Sequence, residues 1–247
     1  MIPKIIHLCW LSGEVYPPLI EKCIESWKQK LPDYTIKIWD TNTIDIKSNL
    51  WLQQAFTAKK YAFAADYIRF YALYNDGGIY LDADVEILKS FDNLLHKDYF
   101  IGEEAGGDVE AAVMGCKKGM SWMKDCLDYY TNRSFILPNG LYDTKPVPLL
   151  LNKIVAKYNL EVYPHWYFSP KNYNTEKIDT RAETYTIHHF DGKWVKRGIV
   201  SKIKKNVHNL IYKIFGRKGH IFITNKVRMV RFWLNKRNHL NEDRPSH

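Results

Sequence analysis

The sequence predicts an α/β fold organised around a parallel sheet. Residues 4–11 form an apolar run that indicates a buried strand. A segment with helical spacing of apolar residues follows, beginning at Pro17-Pro18 and ending near Pro32. Residues 34–39 then alternate with a period of two, which indicates a second strand. This strand–helix–strand order is typical of parallel sheets, whose ligands gather at the carboxyl ends of the strands.

This topology places His7, Trp10 and Asp40 near a ligand site. A long helix is predicted over residues 53–75, ending at Gly77-Gly78, where glycine can adopt a left-handed cap. The remaining predictions are strands at 79–81, 99–104, 111–115 and 185–190, helices from 121 and over 149–158, and an aromatic strand or extended segment at 162–168.

The charge distribution divides the chain of 247 residues into two regions. From Val195 onward there are 14 Lys and Arg against two Asp and Glu, whereas the preceding 194 residues hold 22 basic and 25 acidic groups. We therefore predict one globular domain at 1–195 and a basic tail at 196–247. Apolar residues recur at helical spacing in the tail, with Lys and Arg between them, which predicts an amphipathic helix suited to an anionic membrane surface.

The four cysteines show no metal-binding spacing and lie in apolar segments, which favours reduced core thiols. The N-terminus shows no basic leader followed by an apolar run, and no apolar run is long enough to span a bilayer. These observations predict a cytoplasmic protein.

Asp82 and Asp84 follow the buried strand at 79–81 and are the central candidates for chemistry. Residues two apart in a strand share a face, so both carboxylates would point the same way. A divalent cation relieves their repulsion, and Mn²⁺ or Mg²⁺ also accepts phosphate oxygens. The pattern also fits the nucleophile loop of haloacid-dehalogenase-like phosphatases, but the second acidic pair that such enzymes need is not evident.

Asp66 and Arg69 are three residues apart in an apolar helical stretch and so share a helical face. They could form an ordinary ion pair, or they could bind sugar or phosphate.

Four segments resemble glycosyltransferase family 32, the DXD-containing sugar transferases of bacterial capsule and lipopolysaccharide synthesis and the fungal initiating mannosyltransferases. The matching segments are Ile2-Pro3-Lys4-Ile5-Ile6-His7-x-x-Trp10, Ala65-Asp66-x-x-Arg69, Gly77-Gly78-x-Tyr80-Leu81-Asp82-x-Asp84 and His188-His189-x-x-x-x-Trp194. The resemblance implies a GT-A fold, a Rossmann-like mixed sheet flanked by helices, with a UDP- or GDP-linked sugar as donor and retention of anomeric configuration.

The resemblance also implies residue roles. Trp10 would stack on the nucleobase, with His7 and Tyr80 beside the donor. Asp66 and Arg69 would contact the sugar and ribose region. Asp82 would bind ribose or metal-bound water, and Asp84 would ligate the metal. The fourth segment would complete the metal and diphosphate site, with either His188 or His189 contributing and Trp194 contacting the phosphate.

Adjacent His188 and His189 would face opposite sides of a strand, so only one of them can reach the metal, and the sequence leaves the choice open. Lys193 replaces the serine that the family commonly has before the tryptophan, which puts the phosphate contacts there in doubt. Glu103, Glu104 and Asp143 are acidic candidates for the acceptor side.

The sequence thus predicts a retaining, metal-dependent hexosyltransferase for surface polysaccharide synthesis. It would act on a saccharide or lipid-linked saccharide acceptor, with the tail on the cytoplasmic membrane face. No nucleic acid partner is expected, because the globular region is slightly acidic. The alternative is a non-catalytic basic adaptor that binds membrane or nucleic acid and is built on a degenerate transferase fold.

Overall fold

The computed structural model describes residues 1–173, 175–191, 210, 213–214, 216, 219 and 222–223. Two compact units divide the chain, one comprising 1–172 and 177–196, the other 173–176 and 197–247. The predicted basic tail lies almost entirely outside the described residues, so the division at residue 195 stays a prediction. Among the described residues, no helix is long and apolar enough to cross a membrane.

A five-stranded sheet forms the centre of the first unit. Its strands are β1 (Ile5–Cys9), β2 (Thr35–Trp39), β3 (Gly78–Leu81), β5 (Tyr99–Glu103) and β6 (Val109–Cys116), in the order β2-β1-β3-β6-β5. Strand β1 is parallel to β2 and β3, whereas β6 is antiparallel to β3 and β5. The predicted parallel strand–helix–strand opening is confirmed, and the sheet as a whole is mixed.

Helices cover both faces of this sheet, namely α1 (Pro18–Lys30), α2 (Leu50–Thr57), α3 (Tyr61–Asp76), α4 (Ser121–Asp128) and α5 (Pro148–Tyr158). Side chains alternate along β3, so Tyr80 joins a core with α2 to α5, while Ile79 and Leu81 join a second core with Trp27 of α1. The predicted α/β class, a mixed sheet flanked by helices, is confirmed. All four cysteines lie in this unit and are unpaired, as predicted.

The single helix predicted over residues 53–75 is wrong, because the chain forms two helices there. Lys59 has a φ of +55°. The N–H of Lys60 donates to the carbonyl of Ala55, and that of Lys59 donates to the carbonyl of Phe56. This bond pair is a Schellman motif with lysine where glycine is usual, so α2 ends without a glycine or proline to announce it.

The Gly77-Gly78 stop is confirmed, although the conformation is not the predicted left-handed cap. Gly77 has φ +68° and ψ −164°, a region essentially restricted to glycine. Gly78 has φ +99°, and a Cβ there would lie 2.7 Å from the carbonyl oxygen of Ile5. Gly78 therefore lets β3 start directly against β1, and a Cβ on Gly77 would lie 2.6 Å from the main-chain nitrogen of Lys118.

A two-stranded antiparallel ribbon follows Asp82 and Asp84 in the chain, and only one of its two strands was predicted. It joins β4 (Val85–Ile87), which was not predicted, to β7 (Thr186–His188), the core of the strand predicted at 185–190. The short strand predicted at 111–115 is the wholly buried eight-residue β6. Residues 162–168 form no strand, and Tyr163 makes only an isolated bridge to Gly102.

Candidate metal and donor site

Asp82 and Asp84 lie in the turn between β3 and β4. The N–H of Asp82 extends the ladder to the carbonyl of Ala112 at 2.9 Å, and the N–H of Val85 donates to the carbonyl of Asp82 at 3.0 Å. The two residues therefore do not share a strand face, and that part of the prediction is wrong. The turn nevertheless brings their carboxylates together, because ligand atoms of Asp82, Asp84 and His188 all lie within 4.8 Å of one another.

The choice between the two histidines follows from the ribbon of β4 and β7. His188 pairs with Val85 in the ribbon, and its Nε2 lies 3.5 Å from Asp84 Oδ1. His189 is turned away, with its Nε2 2.9 Å from Glu86 Oε2. The structure thus places His188 with the carboxylates, and the expectation that His189 holds metal is not supported.

Glu110 is the site residue that the sequence analysis missed. It lies in β6 with 1% of its side chain exposed, and its Oε2 is 3.4 Å from His188 Nδ1. The N–H of Ala112 donates to its Oε1 at 2.7 Å. Glu110 therefore faces one ring nitrogen of His188 while Asp84 faces the other. An acidic residue inside an apolar eight-residue run was the available sequence signal.

Glu110 and His188 each stabilise the charged form of the other. Burial opposes both charged forms, yet the nearby imidazolium lowers the pKa of Glu110 to about 2. Likewise, burial would lower the pKa of His188, but Glu110 and Asp84 raise it to about 10. A buried positive charge is therefore favoured at this position.

Arg69 connects two carboxylates of the site, Asp66 and Asp82. Its Nη2 lies 3.0 Å from Asp66 Oδ1 and 3.4 Å from Asp82 Oδ1, and its Nη1 donates to the carbonyl of Ala111 at 2.7 Å. The Tyr80 hydroxyl donates to Asp82 Oδ1 at 2.9 Å, under the guanidinium. Burial, opposed by Arg69, raises the pKa of Asp66 to about 7. The Asp66–Arg69 pair is thus buried and linked to Asp82.

The charges of this cluster fit a divalent cation. Four carboxylates face one guanidinium and one imidazole, all with at most 28% of the side chain exposed. Negative charge in excess inside a protein is costly unless a cation balances it. Two carboxylates and an imidazole at one point are ligands that Mn²⁺ or Mg²⁺ can accept, so the residues present fit the predicted metal.

The predicted donor contact of His7 is contradicted by its burial. Trp39 Nε1 donates to His7 Nδ1 at 3.1 Å, which leaves Nε2 to donate to the carbonyl of Gly77 at 2.7 Å. Burial lowers the pKa of His7, so the ring is neutral. Because the side chain is wholly enclosed and both nitrogens have protein partners, His7 ties β1 to the Gly77 turn instead of contacting a ligand.

Trp10, in contrast, lies at an accessible pocket. The pocket has a volume of ≈ 580 Å³ and is lined by residues that include Trp10, Tyr16, Asp40, Phe56 and Tyr61. Trp10 packs edge-on against Tyr16 with 4.8 Å between ring centroids, and its Nε1 donates to the carbonyl of Glu14 at 2.8 Å. These aromatic faces at the carboxyl ends of β1 and β2 offer a surface for a flat ring.

The three acceptor-side candidates have different surroundings in the structure. Glu103 ends β5 and is half-buried, and the main-chain carbonyl of Glu104 accepts the N–H of Gly107 in the following turn. Asp143 is buried in an ion pair with Arg133, with Lys145 Nζ at 3.8 Å, so it is not a solvated loop carboxylate. The predictions for Trp194 and Lys193 lie outside the described residues.

Comparisons with known proteins agree with the motifs. Residues 17–101 match the family described as "Glycosyltransferase sugar-binding region containing DXD motif". Inositol phosphoceramide mannosyltransferase 3 of Schizosaccharomyces pombe is 29% identical over 157 residues, 59% of this chain and 43% of that protein. Mannosyl phosphorylinositol ceramide synthase CSH1 of Saccharomyces cerevisiae is 32% identical over 122 residues, 47% of this chain and 31% of that protein. The chain thus matches less than half the length of either relative.

Among solved structures, the PaToxG glycosyltransferase superposes with a TM-score of 0.47 and 18% identity, covering 64% of this chain and 69% of that one. The segment matched by the family contains Asp66, Arg69, the two glycines and both aspartates of the turn. Two of the four segments on which the resemblance to family 32 rests therefore lie within the matched residues. Over residues 17–101 the chain is therefore similar to the DXD-containing glycosyltransferases.

Proposed function

We propose that this chain transfers a hexose from a nucleotide sugar, using a divalent cation held by Asp82, Asp84 and His188. The observation that carries the proposal is the convergence of these three side chains within 4.8 Å beside further buried carboxylates. A bound Mn²⁺ or Mg²⁺ would act as a Lewis acid for the negative charge that grows on the departing diphosphate.

Two groups of protein contacts hold these ligands in place. Glu110 accepts a hydrogen bond from His188 Nδ1, which keeps the lone pair on Nε2 directed at the aspartates. Arg69 and Tyr80 hold one oxygen of Asp82, which suits that residue to a ribose or water-mediated contact. We assign direct ligation to Asp84 and stacking on the nucleobase to Trp10.

The donor and acceptor are proposed from the relatives. One relative is named an inositol phosphoceramide mannosyltransferase and another a mannosyl phosphorylinositol ceramide synthase, so GDP-mannose is the first donor to test, followed by UDP-linked hexoses. A lipid-linked acceptor agrees with the same names. Retention of configuration, a cytoplasmic membrane-associated location and a role in surface polysaccharide synthesis remain part of the proposal.

Donor hydrolysis with and without Mn²⁺ tests the function directly. We expect hydrolysis of one nucleotide sugar that EDTA abolishes and Mn²⁺ restores, and that Asp84→Ala reduces at least about 100-fold, as for other groups that stabilise developing charge. His188→Ala and His189→Ala form a matched pair, because the two histidines are adjacent and only His188 faces the aspartates. Equal rates in the two histidine variants would contradict the assignment, and metal-independent hydrolysis would exclude the proposed chemistry. A folded parent that hydrolyses no donor would favour the non-catalytic adaptor.

A further inference from the structure

Residues 136–142 form a tight hairpin, which we call the tip hairpin. Ile136 and Tyr142 pair as an antiparallel bridge. The N–H of Leu137 donates to the carbonyl of Leu141 at 2.7 Å, and the N–H of Gly140 donates to the carbonyl of Leu137 at 2.8 Å. Gly140 has φ +77°, and the space around its missing Cβ is open. The hairpin is therefore a defined structure that ends in solvent.

The tip hairpin exposes large apolar side chains. Leu141 is 63% exposed, Tyr142 40% and Ile136 38%. Contiguous apolar exposure of this kind marks interaction sites more often than scattered single residues do. Three such residues within seven positions therefore indicate a surface that another apolar phase covers.

The base of the tip hairpin is held firmly. Phe135 is wholly buried, and its N–H and that of Ile136 donate to Gln54 Oε1 at 2.8 and 2.9 Å. The rings of Phe135 and Tyr142 stack with 5.1 Å between centroids and 9° between planes. Because the base is fixed, the tip cannot fold back to hide its apolar residues without losing these contacts.

A basic residue lies against the tip hairpin. Lys60 Nζ lies 5.6 Å from the centre of the Tyr142 ring, and Lys59 and Lys145 are exposed nearby in the chain. The neighbouring acidic residue, Asp143, is buried and paired with Arg133, and Lys145 Nζ lies 3.8 Å from its Oδ1. An apolar tip with lysines beside it is complementary to an anionic lipid surface, because basic groups are attracted to the headgroups.

One lysine connects the tip hairpin to the wall of the proposed donor pocket. Lys60, which approaches Tyr142, is followed directly by Tyr61, and Tyr61 and Phe56 line the pocket that contains Trp10. A bilayer contacted by the tip hairpin would therefore lie beside that pocket wall. A lipid-borne acceptor would reach the site from the same side.

We propose that the tip hairpin inserts Leu141, Tyr142 and Ile136 into the headgroup region of an anionic membrane, and so presents the donor pocket to acceptors carried by lipid. The purpose of this contact rests on the proposed function, but the contact itself does not. It is also separate from any contribution of the basic tail, because it assigns lipid contact to described residues of the first unit.

A site-specific fluorophore tests the contact in the full-length protein. An environment-sensitive dye is attached to Leu141→Cys and, as matched control, to Ile178→Cys, which replaces another exposed apolar residue (50% exposed). Unmodified protein reports the labelling of Cys9, the native cysteine that is not fully buried. The probes are vesicles of equal parts phosphatidylcholine and phosphatidylglycerol, and vesicles of phosphatidylcholine alone.

We expect a blue shift and quenching by a bilayer-embedded quencher at position 141 with the anionic vesicles, and neither at position 178. In flotation, Leu141→Asp should bind the anionic vesicles about tenfold more weakly, since burying a leucine side chain changes affinity by about that factor. Unchanged emission at position 141, whether or not the vesicles bind, or equal shifts at both positions would overturn the proposal and favour a protein partner for the hairpin. Donor hydrolysis by the parent is scored separately, so failure of the hairpin and failure of the transferase chemistry are distinguishable.

Discussion

Removing the carboxylate of Glu110 should weaken metal binding without touching a metal ligand. In Glu110→Ala, the buried Nδ1 of His188 loses the acceptor 3.4 Å away, so the ring can rotate or place its proton on Nε2. Carboxylates behind a ligating histidine are typically worth 10- to 100-fold in metal affinity, or about 1.4 to 2.7 kcal/mol. Glu110→Gln keeps an oxygen that can accept from Nδ1 and should recover part of this loss.

Mn²⁺ titration by calorimetry measures the effect, with stability in EDTA followed by urea denaturation. Glu86→Ala is the matched control, because Glu86 contacts His189 on the other side of the ribbon as Glu110 contacts His188. We expect the dissociation constant to rise 10- to 100-fold in Glu110→Ala and to stay within about twofold in Glu86→Ala.

Two results would refute this reasoning. Parent-like Mn²⁺ affinity in folded Glu110→Ala would mean that Glu110 is a buried carboxylate with no influence on the metal. An equal loss in Glu86→Ala would mean that any disturbance of the ribbon weakens binding. A parent that binds no Mn²⁺ would instead reject the proposed metal site itself.

Three further outcomes are expected. In the metal-free protein the pKa of Asp66 is about 7 and exceeds its ordinary 3.8, so this carboxyl group ionises at lower pH in the unfolded state than in the folded state. Its contribution to the free energy of unfolding therefore falls as pH rises from about 4 to about 7. Asp66→Asn should flatten this dependence of the free energy of unfolding on pH, measured by urea denaturation at several pH values. Gly78→Ala should lower the free energy of unfolding by roughly 1 to 3 kcal/mol, because its Cβ would meet the Ile5 carbonyl, and parent-like stability would contradict this. Trp10→Ala should raise the donor KM more than it lowers kcat, and steady-state kinetics showing an unchanged KM would remove Trp10 from the nucleobase site.

Local signals predicted the opening of the fold well. The proline pair at the start of α1 and the alternating sequence of β2 are readable within short windows, and the structure confirms the helix start and the strand. The break at Lys59 was not predictable, since a lysine occupies the left-handed position that normally calls for glycine. Strand β4 was missed because its three residues are defined by pairing with β7, a partner distant in sequence.

The candidate site shows the same division. Motif spacing identified Asp82, Asp84 and His188, and the structure brings these three together. His7 was misassigned, because strand position gives an approximate height in the sheet but does not reveal that Trp39 and the Gly77 carbonyl enclose the ring. Glu110 went unnoticed because its significance depends on a histidine 78 residues away.

The ribbon of β4 and β7 also bears on the order in which parts of the protein fold. His188 belongs to a strand of only three residues, and nearby the N–H of Asp191 donates to Asp84 Oδ2 at 2.7 Å across 107 residues of chain. Closing so long a loop costs entropy that three ladder positions offset poorly. A cation shared by the turn and by β7 would add its binding free energy to that closure. Metal binding and the late docking of this segment would then be one equilibrium, visible as slower amide exchange in β7 when Mn²⁺ is present.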